Sequence, residues 1–168
     1  MRRLLSSLAA ISLLTAQQAH AQLDCLQGNE RAAVEVAALR SQLMVLATGC
    51  RQDDRYNAFI RKYQADLMGN EREVGAIFKR MHGKRAQQEH DRFTTDLANG
   101  ESSAGMRLGS DFCPRNSLIF TEVMSLRTAA ELATYAAGKD LVPTSLDVCP
   151  QVAQAPTRKP AASPAKRH

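Results

Sequence analysis

The side chains best equipped for chemistry crowd into one short stretch. Glu89, His90 and Asp91 are consecutive, Asp96 follows, and His82 lies eight residues before His90. A histidine near carboxylates is the raw material of general acid–base catalysis, and two histidines can share a metal. The spacing argues against both. Adjacent helical residues point to different faces, so Glu89 and Asp91 cannot orient the His90 ring. Metal-binding histidines on a helix stand at i, i+4, whereas Gly83 is expected to break the helix between His82 and His90. His90 falls on a stripe with Ala86, Phe93 and Leu97, which makes it a core-edge residue.

Other chemistries fare no better. A serine nucleophile lacks its G-x-S-x-G elbow. Glu101 and Asp111 have the residue types of an acid pair for glycan hydrolysis, but so would any two acids. Phosphate loops and dinucleotide fingerprints are absent from the sequence. No catalytic, cofactor-binding or metal-ligating residue is therefore assigned, and no cofactor is expected. The one candidate surface groove combines Tyr56, Asn57, Arg61 and Tyr63 with His90. These are polar and aromatic enough to line a cleft, although tyrosines at this spacing also suit the edge of a core. Lys79, Arg80, Lys84 and Arg85 read as a solvated helix end, where the backbone dipole favours cations.

The element expected to organise the rest is Asn29 to Ala47. Ala32, Val36, Leu39, Leu43, Leu46 and Cys50 recur at helical spacing, and much of the remaining surface is apolar too. A helix apolar on most sides is a central one. Gly49 is its expected stop. Asp53 or Asp54 starts a second helix with Tyr56, Phe59, Ile60, Tyr63 and Leu67 inside, closed by Gly69. Asn70 and Glu73 resemble a capping box for a third, which carries Val74, Ile77, Phe78 and Met81 and ends at Gly83. A fourth runs from Ala86 to Asn99, with Gly100 as its stop. Ser102 or Ser103 begins a short fifth, weakened by Gly105 and Gly109. Ile119, Phe120, Val123 and Met124 belong to a sixth. Thr128 and Glu131 form a capping box for a last helix bearing Leu132, Tyr135 and Ala136. The expected fold is all-α: a compact, disulfide-stapled bundle of about six helices around the central N-terminal one.

The chain carries four cysteines, which in an exported protein read as two disulfides. A continuous helix from Asn29 to Ala47 holds its ends roughly 27 Å apart, far beyond disulfide reach. Cys25 and Cys50 flank that rod, so they do not pair. Two pairings remain. Helices alternating up and down bring Cys113 to the side of Cys50, which favours Cys25–Cys149 with Cys50–Cys113.

Export is expected from the first residues. Arg2 and Arg3 precede an apolar run from Leu4 to Ala16, and Ala19-His20-Ala21 has the form of a cleavage site. Residues 1–21 thus read as a signal peptide, 22–150 as one helical domain, and 151–168 as a disordered tail rich in Pro, Ala, Lys and Arg. The formal charge of +5 misleads. Of the 22 Lys plus Arg, two lie in the leader and four in the tail, which leaves 16 against 17 Asp plus Glu and a body of net −1. Nucleic acid is not an expected partner. The mature protein is not expected to span a membrane. The expected role is an exported, periplasmic or secreted, non-catalytic protein that binds a protein partner or a cell-envelope polymer. The alternative is a small envelope hydrolase acting on peptidoglycan or peptide.

Overall fold

The computed structural model describes residues 25–144 and 146–149. The expected leader and tail lie outside them. The fold is all-α. Its segments are α1 (Arg31–Cys50), α2 (Asp53–Lys62), α3 (Gln64–His82), α4 (Ala86–Leu108), the single turn α5 (Phe112–Arg115), α6 (Ile119–Ser125) and α7 (Ala129–Ala137). Short 3₁₀ turns at Gly83–Arg85 and Gly109–Asp111 flank α4. With α2 and α3 counted as one interrupted rod and the α5 turn set aside, the described residues form five helices where about six were expected. The one β feature among the described residues is an isolated parallel bridge between Leu26 and Val148.

α1 is the shared wall of two cores. Val36, Leu39, Leu43 and Leu46 pack with Phe59, Tyr63, Leu67, Ile119, Phe120, Val123 and Leu132. Ala33, Val34, Ala37 and Ala38 pack on another side with Leu26, Val74, Ile77, Phe78, Met81, Phe93 and Leu97. The small residues on that side let α3 and α4 approach closely. By length and composition alone α1 is apolar enough to cross a membrane. Its apolar surface is spent on these two cores instead. α1 also runs through Gly49 and ends at Arg51, which takes a left-handed conformation at φ 55°.

Two expected helix stops fail. Gly69 does not close the second helix, and Asn70 is no cap: both lie inside α3, where Asn70 Nδ2 donates to the Ala33 carbonyl of α1 at 2.9 Å. Gly100 does not end α4, which continues for two more turns to Gly109 at φ +54°. An interior glycine costs about 1 kcal/mol relative to alanine. Burial of Leu67 and Val74 on either side of Gly69 offsets that. The chain break falls at Tyr63, which no breaker residue announces. By contrast, Thr128 caps α7 as expected, accepting the Glu131 N–H at 3.1 Å, while Glu131 reaches back to the Arg127 N–H.

At this interruption the Tyr63 side chain reaches across to the end of α6. Its ring is buried beside Phe59, and its hydroxyl donates to the Val123 and Leu126 carbonyls at 2.9 and 3.0 Å. Lys62 Nζ donates to Met124 and Leu126 carbonyls. The last carbonyls of a helix lack intrahelical partners and attract cations, so this pair caps α6. Arg55 holds the other end of α6 through the Ser117 carbonyl and Thr121 Oγ1.

Two disulfides close the structure, Cys25–Cys149 and Cys50–Cys113, with Cα separations of 5.0 and 5.6 Å. They are the first of the two pairings left open by helix geometry. The former sits at the Leu26–Val148 bridge, where Leu26 N donates to the Asp147 carbonyl and Cys149 N to the Leu26 carbonyl. Arg80 clamps Glu30 through two nitrogens and donates to the Cys25 carbonyl.

The Tyr63 cap makes a prediction. Tyr63→Phe keeps the ring but strands the buried Val123 carbonyl, and should cost about 1–2 kcal/mol. A urea midpoint lowered at constant m-value is the expected result.

Candidate functional site

The titratable residues converge in one place, between α1, α3 and α4. Glu71 Oε2 accepts from Arg40 Nη2 at 2.8 Å, and Glu71 Oε1 faces His90 Nε2 at 3.5 Å. Tyr56, Ser41 and Thr94 line the same small cleft, of about 50 Å³. Burial raises the Tyr56 phenol above its ordinary range, with Arg40 opposing. The Ser41 hydroxyl is buried and makes no hydrogen bond within the described residues. It is therefore not joined to His90 as a nucleophile is joined to its base.

Of the five residues proposed for a surface groove, Tyr56 and His90 do share this cleft. Asn57 and Arg61 are exposed on α2 and do not line it, and Tyr63 is buried under α6. Arg40, Ser41 and Glu71 were missed. The signal for the first two was present: Arg40 and Ser41 are polar residues in the middle of a largely apolar helix. Glu71 was hidden because Asn70 looked like a helix start.

Several of the remaining acids and bases are engaged locally. Glu89 pairs with Arg85 and Arg92, and Asp91 accepts from Gln87. The His82 and His90 rings both lie against Phe78, with centroids at 5.6 and 5.2 Å. Among the described residues no group of three metal-ligating side chains forms. Glu101 accepts from Gln42 at 3.4 Å, whereas Asp111 pairs with Arg115 at 3.6 Å, so those two acids serve different neighbours. Arg80 and Arg85 of the basic cluster are likewise engaged, with Glu30 and Glu89.

A larger feature begins where the polar cleft ends. Met44 lines both. Beyond it, α1 contributes Val45, Thr48 and Gly49, and α4 contributes Ala98, Ser102, Gly105 and Met106; Gly109 and Phe112 close the end. The groove measures about 610 Å³ and is predominantly apolar. Ala98, Ser102, Gly105 and Gly109 recur at four, three and four. That stripe was legible in the sequence, but only to a reader who carried the helix through Gly100. A Cβ placed on Gly49 or Gly105 would lie 3.4 Å from the Phe112 ring, so the ring lies close over both glycines. The Cys50–Cys113 bond links the chain neighbours of Gly49 and Phe112. Met44 is 40% exposed and Met106 76% exposed.

The chain matches no family model, no curated protein and no solved structure.

Two predictions follow from these placements. His90 contributes packing on Phe78 and a tie towards Glu71. His90→Ala should therefore lower stability by about 1–2 kcal/mol, seen as a lower melting temperature, while leaving groove-dependent binding intact in the folded fraction. Burial raises the Glu101 carboxyl above its usual range, against the opposing Gln42 hydrogen bond. A raised folded-state value makes the ionised form a penalty at neutral pH, relieved as pH falls through that value and absent below the unfolded value, about 4.3. Glu101→Gln should raise the melting temperature at neutral pH, with the gain vanishing on acidification.

Proposed function

We propose that this is an exported, non-catalytic binding protein whose protein partner lays apolar side chains into the groove between α1 and α4. The observation that carries the reading is the groove itself. The central helix α1 is covered by neighbours over most of its length, but near its end one side, at Met44, Val45, Thr48 and Gly49, is left partly or fully exposed while Leu46 and Ala47 stay buried. Small side chains form the floor and flexible methionines the rim, a combination that adapts to a partner's apolar residues. Export is supported by the leader-like first 21 residues and by two disulfides, which persist in oxidising compartments. The basic residues of 151–168 would add weak, salt-sensitive attachment to anionic envelope polymers.

Against the hydrolase alternative stands the use made of the polar groups. Arg40, Glu71 and His90 tie three helices together, and Ser41 lies buried without a base.

Affinity capture from native envelope extracts under oxidising conditions tests the reading. Ser102 is exposed on α4 in the groove, so Ser102→Glu places a charge there without disturbing a core. Partners held by the wild-type protein should be lost with this variant. Identical capture by both would show that the groove does not bind them.

A further inference from the structure

We infer that a second groove, between α1, α3 and α7, receives the chain's own segment 151–168. The inference goes beyond the reading above and stands whether or not the α1–α4 groove binds a partner.

Three observations carry it. The first is the lining. The groove measures about 370 Å³. Exposed Ala32 of α1, Ala65 of α3 and Ala129 of α7 stand beside buried Val36, Leu67 and Leu132. Walls this small admit a chain whose own side chains are small. Between its charges, the segment 151–168 is mostly Ala and Pro. Proline favours the extended geometry that a groove requires, which lowers the ordering cost of docking.

Charge supplies the second. The lining carries Asp66 and Glu73 and no Lys or Arg. Both acids are exposed, and neither makes an ion pair or a side-chain hydrogen bond among the described residues. Arg72 stands at the rim beside Gly69 and bonds with neither. The segment offers Arg158, Lys159, Lys166 and Arg167 and contains no acid. One helix holds Asp66 and Glu73 about 10 Å apart, a span that the long side chains of adjacent Arg158 and Lys159 can straddle.

Reach supplies the third. The Cys149 Cα lies 5.0 Å from that of Cys25, and Cys25 precedes Ala32 by seven residues, at most about 25 Å. Arg158 follows Cys149 by nine residues, or about 28 Å of extended chain. The first disulfide therefore delivers the segment to the start of α1, within reach of the groove. Exposed ion pairs are weak one by one. A tethered segment meets its groove at a high effective concentration, which compensates. Docked, the segment withholds from anionic polymers the cations it would otherwise offer them.

The test uses the protein with both disulfides intact and compares it with the variant Arg158→Glu/Lys159→Glu. At low ionic strength the methyl NMR signals of Ala32, Ala65 and Ala129 should differ between the two. They should converge at high salt, where screening is strongest. Amide relaxation of residues 155–162 should show restricted motion in the wild type at low salt, and the variant should lose it. Asp66→Asn with Glu73→Gln alters only exposed positions. It should release the segment and leave the helical circular-dichroism spectrum unchanged. Identical groove signals in the wild type and the Arg158/Lys159 variant at low salt overturn the proposal. So does restricted motion that survives the loss of both acids, or a difference centred on Met44 and Met106, which would put the segment in the α1–α4 groove. A difference that fades on dilution would mean that a second copy's segment fills the groove, and overturns it too.

Discussion

The fold depends on burying α1 on nearly every side at once. Its larger residues Val36, Leu39, Leu43 and Leu46 fill one core, and its small residues Ala33, Ala37 and Ala38 admit α3 and α4 on another. One helix thus supplies surface to both clusters. Packing is non-local, since α1 contacts elements reaching to α7. A substitution in the middle of α1 should be felt in both cores, because close-packed interiors transmit local strain. Even Glu35 is buried in this helix, its charge held by Arg31 Nε one turn earlier at 2.6 Å.

Short elements around α1 need fastening, because a helix of seven or nine residues is not stable alone. α6 is held at its first turn by Arg55 and at its end by Lys62 and Tyr63. The α5 turn is held to the end of α1 by the Cys50–Cys113 bond and by Phe112 against Gly49. The chain segment near residue 149 is held by Cys25–Cys149 and the Leu26–Val148 bridge, with Arg80 and Glu30 alongside. The polar chemistry of this protein is largely this fastening. It joins helices whose apolar faces are too small to secure their orientation.

The same division of labour locates the surface available for binding. Most charged groups of the interhelical seams are paired, including Arg40 with Glu71, Arg80 with Glu30 and Lys139 with Glu122. The α1–α4 groove instead exposes methionines over small residues, where apolar contact is unclaimed. A proposal for function built on charged residues would point to the places where the fold is tied together. One built on uncovered apolar area points to the groove, for the reason that burying such area is what drives most protein association.

The amino-acid sequence alone determined the helical class, the central position of α1 and the cap of α7. Each is a local pattern: apolar period in the first two, Thr128 with Glu131 in the third. The rod length of α1 also limited the disulfides to two pairings. Tertiary structure decided the rest. Gly69 and Gly100 carry the sequence signal of a stop, yet α3 and α4 run through them; at Gly69 the burial of Leu67 and Val74 outweighs the cost of about 1 kcal/mol for an interior glycine, whereas past Gly100 α4 buries no residue. Tyr63 carries no breaker signal, yet the rod is interrupted there, and its hydroxyl bonds to carbonyls at the end of a helix some sixty residues later. His90 and Tyr56 meet while Asn57 and Arg61 do not, since helix orientation, not sequence proximity, selects which side chains share a cleft. The groove requires α4 to extend past Gly100, since only a helix carried that far places Ser102, Gly105 and Gly109 on one stripe with Ala98.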